Sequence, residues 1–157
     1  MDNRQRSRKI LEMLAANEEA VARLYRMYAD IFPKLRDFWS ELAEEEIYHC
    51  RLIQKLWTSK DDHVEINEDR FDTVLFLTSS NFLKEKLAQA TVEEISIEDA
   101  LSTALDIETG MLERGYFEVF EGNSSEFRKT MHALAAATIK HTNKIREKLA
   151  KKRRRLV

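Results

Sequence analysis

Apolar residues recur along this chain at alternating steps of three and four, the period of a helix that turns one face inward. A first stretch, from about Ser7 to Phe32, carries Leu11, Leu14, Val21, Tyr25, Tyr28 and Phe32 in phase. Pro33 stops it. Proline lacks an amide donor and disfavours helix in the residue before it, so Phe32-Pro33 predicts the turn of an antiparallel helix pair. The second stretch, about Lys34 to Ser59, has the seam Leu35, Trp39, Leu42, Ile53 and Leu56. A third starts at Ser96-Ile-Glu-Asp99, with Ser96 as N-cap and acids in the first turn. Its seam is Leu101, Ala104, Met111, Gly115 and Val119, and Gly122 ends it as a C-cap. Ser124 or Ser125 caps the fourth stretch, whose seam reads Phe127, Met131, Leu134, Ile145 and Leu149.

The segment from Lys60 to Ser96 differs in character. Asp61-Asp62-His63 reads as a loop with His63 solvated, and Asn67 or Asp69 can cap a helix beginning near Phe71. Phe71, Val74, Leu75, Phe82, Leu83 and Leu87 are apolar at helical spacing, with a break expected at Ser79-Ser80. A connection this long, with structure of its own, suits a crossover travelling the length of a bundle. A lengthwise crossover would put Arg4, Arg6 and Arg8 at the opposite end from the basic tail. The pattern predicts an all-α chain, one domain over residues 1–157.

Composition narrows the function classes. With Gly 3, Pro 1 and 34% charged residues in 157, the chain has a helical protein's usage. A net charge of −2 gives no global attraction to nucleic acid or to an anionic membrane. No stretch approaches the roughly 20 uninterrupted apolar residues of a spanning helix, and the first residues hold no apolar leader, so a cytoplasmic protein is expected. Cys50 is the single cysteine; an intramolecular disulfide and a Cys-x-x-Cys module are excluded, and Cys50 reads as a small residue beside the core. The tail over residues 150–157, with Lys151-Lys152-Arg153-Arg154-Arg155, reads as a solvated end that complements the helix dipole, or as a contact for an acidic partner or nucleic acid.

Ionisable residues occupy slots that the pattern reserves for apolar ones. Glu18 falls on the first seam, Glu46 and His49 on the second, Glu108 on the third, Thr138 and His141 on the fourth; Glu19 and His132 lie off it. Glu18 and Glu46 stand equally far from the Pro33 turn, and Glu108 and Thr138 from the turn near Gly122, so each hairpin presents its set at mid-height. Glutamate is almost never buried unless paired or bound. Three carboxylates and two imidazoles in one core would repel and take up protons. Two arrangements relieve this: a divalent cation held by the oxygen and imidazole donors that iron, manganese and zinc accept, or a polar network completed by Tyr25, Tyr116 and water.

The order Glu, Glu-x-x-His, Glu, x-x-x-His over four helices resembles the ferritin-like di-iron carboxylate proteins, and among them the rubrerythrin group most. Tyr25 follows Glu18 by seven and Tyr116 follows Glu108 by eight, as in that group. The resemblance implies a ferritin-like antiparallel four-helix bundle with a long helical crossover between helices 2 and 3. It implies Glu18 and Glu108 as terminal ligands, Glu46 as a bridging carboxylate with His49 beside it, and His141 on the second ion, of one or two iron ions, with manganese or zinc as alternatives. Glu46, Tyr25 and Tyr116 become the groups acting in the reaction, the tyrosines by holding the terminal carboxylates. Two departures stand out: Thr138 replaces the second bridging glutamate, and Met111 stands where rubrerythrins carry an extra one. A rubredoxin-like iron module is absent from these residues too.

Three functions are consistent with these residues. The first is a slow peroxidase or ferroxidase, a homodimer drawing on an external electron donor. The second is a metal-binding or sensing module without chemistry, which Thr138 and Met111 favour. The third is a degenerate bundle acting as an adaptor through its basic tail.

Overall fold

A computed structural model describes residues 2–58, 64–66, 73–113, 120–122 and 125–155. The long elements are five helices: α1 Asn3–Ile31, α2 Arg36–Thr58, α3 Thr73–Val92, α4 Ile97–Glu113 and α5 Ser125–Arg155. Two three-residue strands, β1 Val64–Ile66 and β2 Phe120–Gly122, form an antiparallel pair with Glu65 opposite Glu121. No described helix is long and apolar enough to cross a membrane.

Local chemistry explains the helix boundaries. α1 starts four residues before the apolar pattern does, because Asp2 and Gln5 make a reciprocal cap: Gln5 N–H donates to Asp2 Oδ1 at 2.8 Å and Asp2 N–H to Gln5 Oε1 at 3.2 Å. α1 stops at Ile31, and Pro33–Leu35 make a single 3-10 turn before α2 begins at Arg36. Ser96 and Asp99 repeat the reciprocal cap at the head of α4, with Asp99 N–H to Ser96 Oγ at 3.0 Å and Ser96 N–H to Asp99 Oδ2 at 3.1 Å. Those bonds also hold the Asp99 carboxyl below its ordinary value.

Two expectations need correction. α3 runs unbroken through Ser79-Ser80, since short hydroxyl side chains are compatible with a helix whose tertiary face is apolar; Phe76 and Leu83 are buried. The third main helix does not run to Gly122: the described part of α4 ends at Glu113, and Phe120–Gly122 is a strand. Two β-branched residues, Val64 and Ile66, flank Glu65 opposite it, a period of two too short to stand out among helical patterns. His63, Asn67, Asp69, Phe71, Gly115 and Val119 lie outside the described residues.

Side-chain pairs fix how the helices run. α1 and α2 pack against each other, as do α4 and α5, while α3 lies on α1. Along α2 and α5, His141 meets Glu46, Lys144 meets Glu41 at 3.0 Å and Lys148 sits over the Phe38 ring, so these two run antiparallel. Tyr25 meets Glu108 and Tyr28 meets Thr103, which makes α1 and α4 antiparallel as well. Arg153 bonds Glu98 at 3.0 Å, bringing the end of α5 to the head of α4. α3 therefore travels from the end where α2 finishes to the end where α4 begins. The basic residues Arg4, Arg6 and Arg8 lie at one end and Lys151 to Arg155 at the other.

The seams meet in one core. Leu11, Leu14, Val21, Leu24, Trp39, Leu42, Ile53, Leu101, Ala104, Leu134 and Ile145 are fully buried, each large one contributing about 1.5–3 kcal/mol by leaving water. Leu101→Ala should lower stability by about 2–5 kcal/mol, and Ser96→Ala by about 1 kcal/mol. Urea unfolding measures both, and a cap loss as large as the core loss would contradict this ranking.

Candidate metal centre

Four helices each bring one or two polar side chains to the same depth. Glu18 comes from α1, Glu46 and His49 from α2, Glu108 from α4 and His141 from α5, and none is more than 5% exposed. Each occupies a seam position, so the apolar neighbours on its own helix carry it into the core. Ligand atoms of Glu18, Glu46 and His49 lie within 4.8 Å of one another, and so do those of Glu46, Glu108 and His141. These buried groups could hold a metal ion. Glu46 belongs to both, and its two oxygens divide the work: Oε2 lies 3.2 Å from His49 Nδ1, Oε1 2.8 Å from His141 Nδ1. The two imidazoles stack, 5.6 Å between ring centres and 23° between planes.

Burial without a cation leaves this cluster electrostatically strained. Burial, then the Glu46 charge, raises the Glu18 carboxyl well above its usual range. The same two causes push Glu108 up to about 8. Burial also opposes the charge on Glu46, but the bonds from His141 and His49 outweigh it and hold this carboxyl far below the usual value. For His141 burial is again overcome, here by bonds to Glu108 and Glu46, and the imidazolium persists up to about 11. Without a cation these shifts favour a Glu46 anion paired with protonated His141 and push Glu18 and Glu108 toward their neutral forms.

Orphaned atoms show what such a core lacks. Oε2 of Glu108 and, while Glu18 is ionised, both of its oxygens are buried with no hydrogen-bond donor among the described residues, and Glu18 bonds Glu46 only by taking up a proton, although buried polar atoms are nearly always paired. Three carboxylates and two imidazoles suit iron, manganese or zinc, and the unpaired oxygens fit ligands to a cation. Tyr25 Oη donates to Glu108 Oε1 at 2.9 Å, so this tyrosine holds the carboxylate of α4. Tyr116 lies outside the described residues. Thr138 is buried with its hydroxyl donated to Leu134 O at 3.0 Å, and supplies no charged oxygen to the cluster.

One partner escapes the sequence pattern. Glu45, off the seam and partly exposed, accepts from His141 Nε2, which leaves Nδ1 facing Glu46 and Glu108. Its other oxygen is 4.0 Å from Lys144 Nζ. Only the register between α2 and α5, which spacing within one helix does not encode, brings Glu45 beside His141. Met111 lines a cavity of about 190 Å³ between α1, α3 and α4, with Asn17, Phe82, Leu83, Ile107 and Asp106 among its other walls. None of the five clustered ligands lines it.

Two outcomes follow from these charges. Glu18 and Glu108 bind protons more tightly folded than unfolded, so their contribution to stability is complete below the usual carboxyl range and lost as pH rises above it, for Glu108 up to about 8; His141 adds a loss that begins near 6.5 and continues to about 11. The melting temperature of the metal-free protein should therefore fall from pH 5 to 8, and saturating zinc should reverse the fall; a flat metal-free profile would refute the assignment. Glu45→Ala should weaken zinc binding by about 10–100-fold, read by competition with a chromogenic chelator.

No family model, curated protein or solved structure matches the chain.

Proposed function

We propose that the chain is a ferritin-like carboxylate protein of rubrerythrin type that holds two iron ions and acts as a slow peroxidase or ferroxidase with an external electron donor. The observation that carries this reading is the Glu46 carboxylate, which offers one oxygen to the Glu18 and His49 side and the other to the Glu108 and His141 side. Further support comes from the helix directions. α1 and α5 run one way and α2 and α4 the other, with α3 as a lengthwise crossover, the arrangement of a ferritin-like bundle.

When bound, a pair of ferrous ions would supply the electrons that reduce peroxide or dioxygen. The residues do the remaining work. Glu18 and Glu108 would serve as terminal ligands, through oxygens that no hydrogen-bond donor among the described residues reaches. Tyr25 keeps the Glu108 carboxylate in place through its hydroxyl, and Glu45 fixes the His141 tautomer with Nδ1 inward. Buried leucines and aromatic rings around the cluster limit water. Thr138, its hydroxyl donated to Leu134 O, would offer no charged oxygen to share between the two sides. His141 must also lose a tightly held proton before Nδ1 can bind a cation, which makes its side the weaker at neutral pH.

A metal-binding module without chemistry is the second reading, favoured by Thr138, whose hydroxyl is spent on its own helix. Iron titration separates the readings. Two ions per chain at pH 8 are expected, with Glu18→Ala retaining one and Glu46→Ala neither; unchanged loading in Glu46→Ala would end both. Anaerobic addition of ferrous iron followed by peroxide should show consumption faster than free iron gives. Binding without such consumption would leave the module.

A further inference from the structure

We propose that the cavity between α1, α3 and α4 is a binding site for a small aromatic amine, a molecule of one ring and a short arm that ends in an ammonium group. The metal reading above plays no part in it. Two matching helix faces build the walls, Thr78 to Leu83 on α3 and Asp106 to Met111 on α4, and Asn17 of α1 closes the third side. On each of α3 and α4 the lining residues stand at i, i+1, i+4 and i+5, two successive turns of one face. The space, about 190 Å³, exceeds the roughly 150 Å³ of a dry apolar cavity that takes up benzene. One ring and a short arm fill it, whereas a long acyl chain or a segment of another protein is too large.

The chemistry of the walls changes from inside to outside. Leu83, Ile107 and Met111 are buried and Phe82 is half-buried, while Thr78 and Asp106 are exposed, so the interior is apolar and the mouth polar. The Phe82 ring and the Met111 thioether both favour an aromatic guest. Asp106 is the single charged residue of the lining. Beside it, Thr78 Oγ1 donates its proton to Val74 O at 2.8 Å, which leaves the oxygen's lone pairs to accept. The carboxylate and the hydroxyl oxygen of the mouth both accept, so their complement is a positively charged donor. A carboxylate or phosphate would be repelled.

Gly110 keeps this space open at a cost to its own helix. Glycine inside a helix is less stable than alanine, yet Gly110 stands within α4 and forms part of the cavity wall. A side chain at this position would take up part of the room that the ring needs.

Nuclear magnetic resonance of the full chain, with its methionine methyl groups isotopically labelled and the Met111 signal assigned by its loss in Met111→Leu, tests the site. Phenethylamine at pH 7 should move the Met111 signal to saturation, with one molecule bound per chain by calorimetry. Phenethyl alcohol, of the same shape without the charge, should bind about two- to fivefold more weakly, the worth of an ion pair at a water-exposed mouth. Phenylacetate should leave the signal in place. Asp106→Asn should weaken the amine by that same factor and leave the alcohol as it was. Gly110→Leu should abolish binding of both. Circular dichroism confirms that each variant is folded; should Gly110→Leu fail to fold, Gly110→Ala, which favours the helix, takes its place with weaker binding of both ligands expected. A Met111 signal that phenethylamine does not move, phenylacetate binding as tightly as the amine, or undiminished binding in a folded Gly110 variant would overturn the proposal.

Discussion

One carboxylate, that of Glu46, reconciles the four main helices with one another. Its oxygens face two imidazoles from different helices, and a charged group so deeply buried persists only because both contacts are made. Each partner is tied in turn: His141 to Glu45 at the surface, Glu108 to Tyr25 on α1. α1, α2, α4 and α5 are thus connected through polar atoms at one level, above and below which the seams are apolar. A one-residue slip would break the set: it would put Asn17 or Glu19 in the place of Glu18, Ile107 or Thr109 in that of Glu108, and Lys140 or Thr142 in that of His141.

The same cluster is a poor way to stabilise a fold and a good way to prepare a site. Apolar residues of similar volume would pack without the desolvation penalty that pushes Glu18 and Glu108 toward their neutral forms. What the glutamates add is a set of buried oxygens that could hold a metal ion, on backbones fixed by the surrounding helices. Tyr25 likewise fills the core with its ring while its hydroxyl holds the Glu108 carboxylate. Packing and chemistry here use the same atoms.

Much of this was legible in the spacing of residues. The phase of Glu18, Glu46, His49, Glu108 and His141 with their apolar neighbours announced burial, and burial is what the structure shows. Distance from the turns gave their common height. Spacing along a single helix says nothing about which helix stands beside it, and so Glu45 was missed: its role exists only where α2 meets α5. The link from Tyr25 to Glu108, rather than to Glu18 on its own helix, arises likewise from the pairing of α1 with α4. Short-range chemistry hid the rest. The cap at Asp2 lengthened α1 beyond its apolar pattern, and three residues of strand were too few to outweigh helical neighbours.

That strand pair has a topological consequence. Joining Val64 to Gly122 closes a loop that contains the whole crossover and α4. The α1–α2 and α4–α5 hairpins are local and can form early, whereas this clasp joins positions far apart in sequence and is slow to find. Once made, it tethers the start of the crossover to the far end of α4. A protease cut within α3 would then leave two fragments still laced together.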